Sequence, residues 1–578
     1  MERVEKKWSL NPQPEKQQVV NLQNAINASA PLASLLLQRG KKDFEAARTF
    51  FNPSISQLHH PFLMKDMQLA VERISKAIES GENIMVYGDY DVDGTTSVAL
   101  LYSFLTNHTE RVSYYIPDRY KEGYGVSMES IDFAADNDIS LIIALDCGIK
   151  AVDQVAKAKT LSIDFIICDH HIPGNEIPDA HAILNPLQKG CDYPYKSLSG
   201  CGIGFKLTQA LAETWELDRT DPLAHLDLVA IAAACDIVPM TGENRVLCYL
   251  GLELLQEAQR PGIAQLLENA GRLKDGLLRR PLTVSDLVFA IGPRINAAGR
   301  MDHGQKAVEL LCATTSKASE EAAAAIIQNN IDRRETDLKI LDEALLKIDF
   351  DAEKTSNVLF QPDWHKGVVG IVASRVQDFS YRPTVVLTES NGFITGSARS
   401  VQGFDIHEAI SSCHHLLETF GGHPAAAGLT LHKDNLEEFK TAFEKAVRER
   451  ISPDQLVPVL EIDMELELSE ITDLFFTSMN RMAPFGPQNM RPVFVSYNVK
   501  NAQWSKAVGE NNEHLKLHVY QGTNKSITIK GIAFGLGHYA ERIKNGEEFS
   551  LVYTLELNEF NGVKTIEMMV KDIRFNGS

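Results

Sequence analysis

The sequence has no apolar run long enough to cross a membrane. Even the run LIIAL (141–145) is cut short by Asp146. The beginning of the chain, MERVEKKWSLNPQPEKQQ, is polar and mixed in charge, without the apolar stretch of a signal peptide. These absences argue against a membrane protein and favour a cytoplasmic one with no membrane partner.

Cysteine pairs of the CxxC type are also absent, although the chain has eight cysteines. Three of them, Cys147, Cys168 and Cys235, lie within or beside apolar segments. Because cytosolic chains rarely use disulfides, we expect small buried thiols at these positions.

The chain lacks an excess of basic residues, since 57 Lys and Arg stand against 77 Asp and Glu and the formal net charge is −20. Nucleic-acid binding depends largely on neutralising phosphates with Lys and Arg, so this balance excludes a generally basic binder. The charge balance does not exclude a nucleic-acid partner. Carboxylates that hold divalent metals add to the negative count, and the metals restore positive charge locally.

A length of 578 residues exceeds what one hydrophobic core usually supports, so we expect three or four domains in an α/β multidomain fold. The sequence divides into five segments. They are an N-terminal helical segment packing on the domain that follows (1–70), an α/β domain with a parallel sheet (71–315), a connecting helix (316–350), a second α/β domain (351–453) and a strand-rich β-barrel (454–578).

Periodicity supports these divisions. The first α/β segment alternates the apolar runs IMVY, VSYYI, LIIAL and FIIC with helical patterns, which is typical of a parallel sheet covered on both faces. Residues 318–348 contain neither Gly nor Pro and predict one long helix. From about residue 458 onward, many short strands with turn residues between them predict a small barrel or sandwich.

Acidic side chains recur just after the apolar runs. They are Asp89, Asp91 and Asp93 in GDYDVDG, Asp146 in LDCG, and Asp169 beside His170 and His171 in CDHH, while Asp236 follows a helical apolar run. In an open parallel sheet, ligands bind in the crevice at the carboxyl ends of the strands, so these loops would bring the side chains together.

Carboxylates with one or two imidazoles and no thiolate favour Mn²⁺ or Mg²⁺. So many carboxylates in one crevice would repel each other, and two divalent cations would remove that problem. Such a pair can stabilise the attacking and leaving oxygens of a phosphoryl centre. Taken singly, each acid can instead be a turn former or a helix cap, as Asp93 before Gly94 illustrates. All the clusters together favour a two-metal site.

These motifs resemble, in order, the four motifs of the DHH phosphoesterase family. The segment FGGHPAAAG (420–428) resembles the glycine-rich motif of the associated DHHA1 domain. GPRINAAGRM (292–301) and APFGPQNMRPVF (483–494) are similar to segments of the RecJ branch, and the likeness runs from about residue 45 to 575. One departure concerns Tyr87, which stands where many family members have a His, so that Asp89 is expected to complete the first metal site.

The resemblance implies a role for each motif residue. The metal ligands would be Asp91, with Asp89, at the first ion, Asp93, His170 and Asp236 at the second, and Asp146 between the two. His171 would face the scissile phosphate, where a cationic imidazole steadies the developing charge. Asp169, which would not bind a metal itself, would fix the orientation of a histidine.

The expected substrate contacts lie in three segments. Gly421, Gly422 and His423 form a turn whose backbone can approach a phosphate closely, and Ser397, Arg399 and Arg375 add anion-binding groups in the same domain. The segment GPRINAAGR is expected to be a polar loop that supplies Arg294, Asn296 and Arg300. Guanidinium groups suit phosphate geometry, although these arginines can also form surface salt bridges with the many acidic residues.

The strand-rich end resembles an OB-fold, which often carries single strands on aromatic platforms. The candidate platforms, each of which can equally be barrel core, are Phe494, Tyr497, Trp504, Tyr520 and Phe534.

The family resemblance implies a single-stranded-DNA exonuclease that releases 5′-mononucleotides in the 5′ to 3′ direction and acts in DNA repair and recombination. A single-strand-binding protein and a helicase are its candidate protein partners. Two alternatives remain at this point. Other DHH enzymes act on short RNA, cyclic dinucleotides or pyrophosphate, and a DHH-derived scaffold of eukaryotic replication is non-catalytic. Intact metal ligands favour an enzyme over the scaffold.

Overall fold

The computed structural model describes residues 5–257, 259–351, 353–523, 525–560 and 562–575. The chain splits into two compact units. Unit I contains Asn52–Glu335 and Pro484–Met490, and unit II contains the described residues up to Phe51, Thr336–Ala483 and those from Arg491 onward. Within the described ranges, no helix is both long and apolar enough to cross a bilayer.

The N-terminal segment belongs to unit II. Its elements are β1 (Lys7–Leu10), α1 (Lys16–Ile26), α2 (Ala30–Gln38) and α3 (Phe44–Phe51). Strand β1 pairs in parallel with residues 459–462, and Trp8 Nε1 donates to Asp572 Oδ2 at 2.7 Å. The expected segment 1–70 is therefore divided. Residues up to Phe51 belong to unit II, where β1 pairs with a strand far along the chain, and residues 52–70 belong to unit I.

Unit I begins with a parallel sheet. Its elements are α4 (Met67–Glu79), β2 (Asn83–Gly88), α5 (Val92–Leu105), β3 (Val112–Tyr115), α6 (Met128–Asp136), β4 (Ile139–Leu145), α7 (Val152–Thr160), β5 (Asp164–Cys168) and β6 (Ala182–Leu184). The strand order is β3–β2–β4–β5–β6, with parallel neighbours throughout. Alternate residues of β2 enter different cores, Ile84 on one face and Met85 on the other. The predicted parallel sheet with two covered faces is confirmed.

Helices follow the sheet. They are α8 (Gly200–Thr214), α9 (Thr220–Leu223), α10 (Leu226–Cys235), α11 (Gly242–Glu257), α12 (Pro261–Asn269), α13 (Val284–Asp286), α14 (Gly292–Met301) and α15 (Gln305–Cys312), with the short strands β7 (Leu273–Lys274) and β8 (Leu277–Leu278) among them. A π-helical turn, Leu287–Ile291, leads directly into α14. The predicted long helix is α16 (Ser316–Leu346), which passes from unit I into unit II.

Unit II contains the second α/β domain. Its elements are β9 (Asn357–Phe360), α17 (Val369–Ser380), β10 (Thr384–Ser390), β11 (Phe393–Arg399), α18 (Ile406–Ser411), β12 (Leu417–His423), β13 (Ala426–Leu431) and α19 (Leu436–Arg448). The strand order is β12–β13–β11–β10–β9. Only the β9–β10 pair among these neighbours is parallel. Apolar side chains of β10 enter two cores, Val385 on one face and Val386 on the other.

The C-terminal part of unit II is a barrel. Its elements are β14 (Val459–Ile462), β15 (Met464–Glu465), α20 (Asp473–Asn480), β16 (Phe494–Asn501), β17 (Lys506–Val508), β18 (His514–Gln521), β19 (Ile529–Ala533), α21 (Ala540–Lys544), β20 (Phe549–Phe560) and β21 (Val563–Phe575). The sheet runs β16–β20–β21–β19–β18, and an additional pairing of β18 with β16 closes it. Closure removes the sheet edges, as in an OB-fold.

The aromatic candidates of the barrel divide between its core and its surface. Phe494 is fully buried and belongs to the barrel core. Trp504 is 76% exposed and Phe534 is 54% exposed, and Tyr497 is also exposed. Tyr520 is half-buried. The cysteines of the chain are free thiols. Cys147 and Cys168 are buried, as expected, whereas Cys235 is only partly buried.

Candidate active site

The acidic motifs of unit I gather at the carboxyl ends of its strands. Asp89 follows β2 directly, and Asp91 caps α5 by accepting a hydrogen bond from the Gly94 amide at 3.0 Å. The Asp93 carboxylate accepts hydrogen bonds from the amides of Gly200 and its neighbour, at 2.7 and 2.8 Å. The first turn of α8 therefore fixes the orientation of Asp93.

Asp146 follows β4 in a left-handed backbone conformation, with a φ of 59°. Its amide donates to the Cys168 carbonyl at 2.9 Å, which joins the ends of β4 and β5. A Cβ atom on Gly200 would lie 2.6 Å from Asp146 Cβ, so α8 approaches this carboxylate only because position 200 has no side chain. Ile237, directly after Asp236, is also left-handed, with a φ of 60°. Backbone strain of this kind concentrates at functional sites.

The CDHH motif after β5 contains a buried carboxylate and two imidazoles. Asp169 Oδ1 lies 2.7 Å from His171 Nδ1, and the other oxygen accepts from the Ile149 amide at 2.9 Å. Burial alone would raise the pKa of Asp169, but the hydrogen bond and the charge of His171 hold it below its usual value. The same partnership outweighs burial and raises the pKa of His171, which favours the charged form of this imidazole.

His170 lies at the centre of the acidic residues. Its Nε2 atom is 3.1 Å from Asp146 Oδ1, 3.6 Å from Asp236 Oδ2 and 3.9 Å from Asp93 Oδ2. Within the described part of the chain, Nε2 and Asp146 Oδ1 are buried without a well-aligned hydrogen bond. Donor atoms of Asp93, His170 and Asp236 all lie within 4.8 Å of one another, as do those of Asp146, His170 and His171.

Burial and crowding disfavour the charges of these carboxylates. Burial first, and the charge of Asp91 next, raise the pKa of Asp93 to about 7. Burial and the charge of Asp93 raise the pKa of Asp236 to about 9, and the pKa of Asp146 is also raised well above its usual value. Burial, together with the nearby charge of His171, lowers the pKa of His170 to about 4, so its imidazole is neutral and has a free lone pair.

This donor set fits a divalent cation. Buried carboxylate oxygens and a neutral imidazole nitrogen converge with few internal partners, and a cation would relieve the repulsion that raises the carboxylate pKa values. Oxygen-rich sites with imidazole and no thiolate suit Mg²⁺ and Mn²⁺. Asp89 and Asp91, although next to this site in the first motif, lie outside both groups of converging donors among the described residues.

The structure adds residues that sequence reasoning did not identify. Tyr124, 58% exposed in the loop after β3, has its hydroxyl 2.9 Å from His171 Nε2. Its ring meets that of Tyr90, and the Arg119 guanidinium lies 4.8 Å from the Tyr90 ring centre. Tyr87 is turned away, because its hydroxyl donates to the Gly125 carbonyl at 2.8 Å. The one sequence feature that could have indicated its place beside His171 is that Tyr124 follows a strand of the same sheet.

The segment with Arg294, Asn296 and Arg300 is helix α14, so the expectation of a loop there was wrong. Two glycines of the segment permit close helix packing. A Cβ atom on Gly292 would lie 2.6 Å from Cys235 Sγ, and one on Gly299 would lie 2.8 Å from the backbone oxygen of Tyr90. Helix α14 therefore runs beside the loops that carry Asp236 and the first motif.

In the second α/β domain, the expected turn at Gly421, Gly422 and His423 is instead the end of strand β12. His423 and Arg399 share one register partner, Ala426, so they lie at the same end of the sheet. The Arg399 guanidinium donates to the hydroxyls of Ser397 at 2.6 Å and Ser374 at 3.1 Å, which fixes its orientation.

Arg375, on α17, behaves differently from Arg399. Its guanidinium lies 3.1 Å from a carboxylate oxygen of the fully buried Asp337. Of the two interpretations of these arginines, phosphate contact and a salt bridge to an acidic residue, the salt bridge describes Arg375 best.

Comparison with known proteins agrees with this arrangement. Models of the DHH family N-terminal domain, the DHHA1 domain and the RecJ OB domain match residues 83–233, 354–449 and 462–572. The single-stranded-DNA-specific exonuclease RecJ of Bacillus subtilis is 37% identical over 571 residues, which is 98% of this chain and 70% of that protein.

Solved structures extend the comparison. RecJ of Thermus thermophilus in complex with Mn²⁺ matches with a TM-score of 0.84 and 26% identity, over 98% of this chain and 79% of that one. The same protein in complex with Mg²⁺ matches with a TM-score of 0.78 and 25% identity, over 98% and 78% of the two chains. The identity, the coverage and the three matching domain models show that this chain belongs to the RecJ family of DHH proteins.

Proposed function

We propose that this chain is an exonuclease that hydrolyses phosphodiester bonds in single-stranded DNA with the help of divalent cations. The observation that carries the proposal is the convergence of the buried Asp93 and Asp146 with the partly buried His170 and Asp236. A set of raised carboxylate pKa values around a neutral imidazole is costly in a fold and is typical of a catalytic site. The named activity of the matching relatives supports the same reaction.

Asp93, His170, Asp236 and Asp146 would hold the cations, with Asp91 and Asp89 completing the site. We propose two ions, Mn²⁺ or Mg²⁺, because Asp146 and Asp236 both lie beside His170 and the first motif adds further carboxylates, which is more than one ion needs. When bound, such cations polarise the phosphodiester and lower the pKa of the attacking water. Asp146, which is bonded through its amide to the end of β5, would keep its carboxylate fixed between the donors from β2 and β5.

His171 would act on the substrate and not on a metal. Its Nδ1–H donates to Asp169, so Nε2–H is the proton that can be offered outward. We propose that a phosphate oxygen takes the place of the Tyr124 hydroxyl at Nε2. Asp169 would hold the imidazole in the charged form that stabilises the phosphoryl transition state.

Contacts to the rest of the strand would come from α14 and from the second α/β domain. Arg294, Asn296 and Arg300 supply polar and cationic groups next to the metal-binding loops. Arg399, fixed by two serine hydroxyls, and His423 with Gly421 and Gly422 would bind phosphate oxygens at one end of their sheet. Cleavage from the 5′ end with release of mononucleotides is proposed from the family alone.

Two alternative functions make different demands on the site. A non-catalytic replication scaffold needs no metal ligands, whereas here the carboxylates and the His pair are intact and convergent. An enzyme for short RNA or cyclic dinucleotides needs no closed barrel with exposed aromatic rings, which this chain has in Trp504 and Phe534.

The cellular setting is proposed from the same family. A cytoplasmic enzyme of DNA repair and recombination would work beside a single-strand-binding protein and a helicase.

The direct test incubates the purified chain and Mn²⁺ with end-labelled single-stranded DNA, duplex DNA, short RNA and a cyclic dinucleotide. We expect mononucleotides from the single strand, little product from the duplex, and loss of activity with chelator. Preferred hydrolysis of RNA or of the cyclic dinucleotide would replace the proposed substrate, and no hydrolysis of any of them would favour the scaffold.

A further inference from the structure

A cavity of about 550 Å³ lies in unit I, away from the acidic motifs. Its wall is formed by the carboxyl end of α5, by α9, by the amino end of α10 and by Leu254 of α11. Helix α5 begins directly after Asp91, and α10 ends directly before Asp236, so the cavity and the proposed metal site lie at opposite ends of both helices. The 14 residues of α5 span about 20 Å. The cavity is therefore a separate feature of unit I.

Much of the cavity wall is aromatic or aliphatic. Phe104 and His108 belong to it, with ring centres 5.3 Å apart, and so do Leu223 and Leu254. The Phe104 ring stacks on Trp215, with ring centres 6.0 Å apart and an angle of 14° between the planes, which fixes its position. Clefts of this volume, with apolar walls and a few polar groups, are typical of small-molecule sites. Aromatic walls favour a ligand that is itself a flat ring.

One polar side chain of the wall, the imidazole of His225, is buried and held in a defined orientation. It is 7% exposed, and its Nδ1 atom lies 2.8 Å from a guanidinium nitrogen of Arg260. A guanidinium can only donate, so Nδ1 accepts and a neutral imidazole carries its proton on Nε2. Burial first, and the charge of Arg260 next, lower the pKa of His225 to about 3, so the ring is neutral. Arg260 is held in turn by the buried Asp227, at 2.5 Å, and by the Ala224 carbonyl, at 3.0 Å.

The Nε2–H group of His225 has no hydrogen-bond partner among the residues that the structure describes. A buried donor without a partner is costly, and native folds rarely keep one, so a ligand in the cavity is the expected acceptor. Among the described wall residues, Asp221 is the only Asp, Glu, Lys or Arg, and its negative charge disfavours an anion. The wall therefore suits an uncharged flat ring that accepts one hydrogen bond.

We propose that this cavity is a binding site for an uncharged nitrogen heterocycle of the size of a purine. The two fused rings lie against Phe104 and His108, and a ring nitrogen accepts the Nε2 proton of His225. A phosphate attached to the ring adds no affinity, because the charged side chain of the wall is acidic. This inference goes beyond the proposed function and does not depend on it, since neither the ligand nor the residues belong to the metal site.

The test is isothermal titration calorimetry of the full chain with adenine, adenosine monophosphate and indole, all in chelator so that no ion recruits a phosphate to the metal site. Indole has the two-ring shape of adenine but no ring nitrogen that accepts a hydrogen bond. We expect adenine to bind, the monophosphate to bind no more tightly, and indole to bind roughly tenfold more weakly, as for one lost hydrogen bond. No binding of adenine, equal binding of indole, or tighter binding of the monophosphate would overturn the proposal.

Three variants, each checked for folding by circular dichroism, place the ligand in this cavity. His225→Asn keeps an oxygen that can accept from Arg260 and removes the Nε2 donor, so adenine should lose its advantage over indole.

Leu254→Phe fills the cavity and should abolish the binding of both ligands. Leu250→Phe is the matched control, because Leu250 is a partly buried leucine one turn earlier on α11, outside the described wall, and it should bind adenine like the parent. If His225→Asn still prefers adenine, or Leu254→Phe binds it like the parent, the cavity is not the site. The nuclease proposal is tested separately, by hydrolysis of single-stranded DNA in Mn²⁺.

Discussion

The proposed metal site of unit I and the proposed phosphate-binding end of the sheet in unit II carry charges in opposite arrangements. Around His170, buried carboxylates crowd together with few internal partners. Around Arg399, a cation is already fixed by two serine hydroxyls and is only partly buried. A bound cation would relieve the repulsion in the first arrangement, whereas the second already holds a positive charge that an anion can contact. The proposed chemistry therefore belongs to unit I, while the proposed phosphate contacts of Arg399 and His423 belong to unit II.

Removing Asp146 should have the largest effect. We expect Asp146→Ala to lower the rate of hydrolysis on the order of a thousandfold or more, because a central metal ligand is worth several kcal/mol. Metal content and nuclease rate, measured on a variant shown to be folded by circular dichroism, check this.

Asp146→Asn is the companion variant, since Asn tolerates the left-handed backbone at this position better than Ala does. It keeps the shape and removes the charge. If either variant retains its bound ions and turns over normally, Asp146 is only a turn residue and the comparison between the two regions breaks down.

Gly200→Ala should have the next largest effect. The added Cβ would lie 2.6 Å from Asp146 Cβ and 2.8 Å from its Oδ1, so Asp146 or α8 must move. Displacement of about 1 Å at a catalytic group costs on the order of a hundredfold in rate. The measurement is the Mn²⁺ concentration for half-maximal activity together with the maximal rate, both of which should worsen.

Gly204→Ala on the same helix is the control. Its Cβ would meet only the end of the Leu145 side chain at 3.2 Å, which can give way. We expect near-normal activity and unchanged stability or a small gain, because Ala favours a helix over Gly. If both substitutions lower activity equally, α8 tolerates no added side chain, and the effect of Gly200→Ala does not come from its contact with Asp146.

Arg399→Ala and His423→Ala should have intermediate effects. Each removes a charge-assisted or polar phosphate contact, which costs on the order of 1.5–3 kcal/mol, roughly tenfold to a hundredfold in kcat/KM. Metal content should stay at the level of the parent protein. A fall in bound metal in either variant would contradict the division of roles between the two regions.

Arg375→Ala should affect activity least and stability most among the arginines of this domain. Its partner Asp337 is fully buried, so removing Arg375 leaves that carboxylate without the cation 3.1 Å away. We expect a loss of about 1 kcal/mol or more in the free energy of unfolding, since the pair is only partly shielded from solvent. A urea melt and steady-state kinetics distinguish this from a role in phosphate binding, which would raise KM instead.

Sequence reasoning located the parts of the site that depend on local pattern. Asp146 and Asp169 follow apolar runs that became β4 and β5, because a residue directly after a buried parallel strand must lie at the carboxyl edge of the sheet. The barrel was predictable from a local pattern as well, because short strands recur there with turn residues between them.

The errors of sequence reasoning come from contacts between distant segments. The segment GPRINAAGR was expected to be a loop, whereas it is a helix whose Gly292 and Gly299 allow close contact with Cys235 and Tyr90. The pairing of β1 with β14 joins segments far apart in the chain, and no local pattern reports it. Tyr124 was missed because a single tyrosine in a loop carries no periodic signal.

The most direct test of the central claim compares the thermal unfolding of the parent protein and Asp146→Asn, each in chelator and in saturating Mn²⁺. A ligand that binds only the folded state raises its stability in proportion to the logarithm of its concentration over Kd. We expect Mn²⁺ to raise the Tm of the parent by several degrees. Asp146→Asn should be at least as stable as the parent in chelator, because one crowded charge is gone, and should respond much less to Mn²⁺. A parent whose Tm ignores Mn²⁺, or an Asp146→Asn variant that responds as fully as the parent, would contradict the proposed metal site.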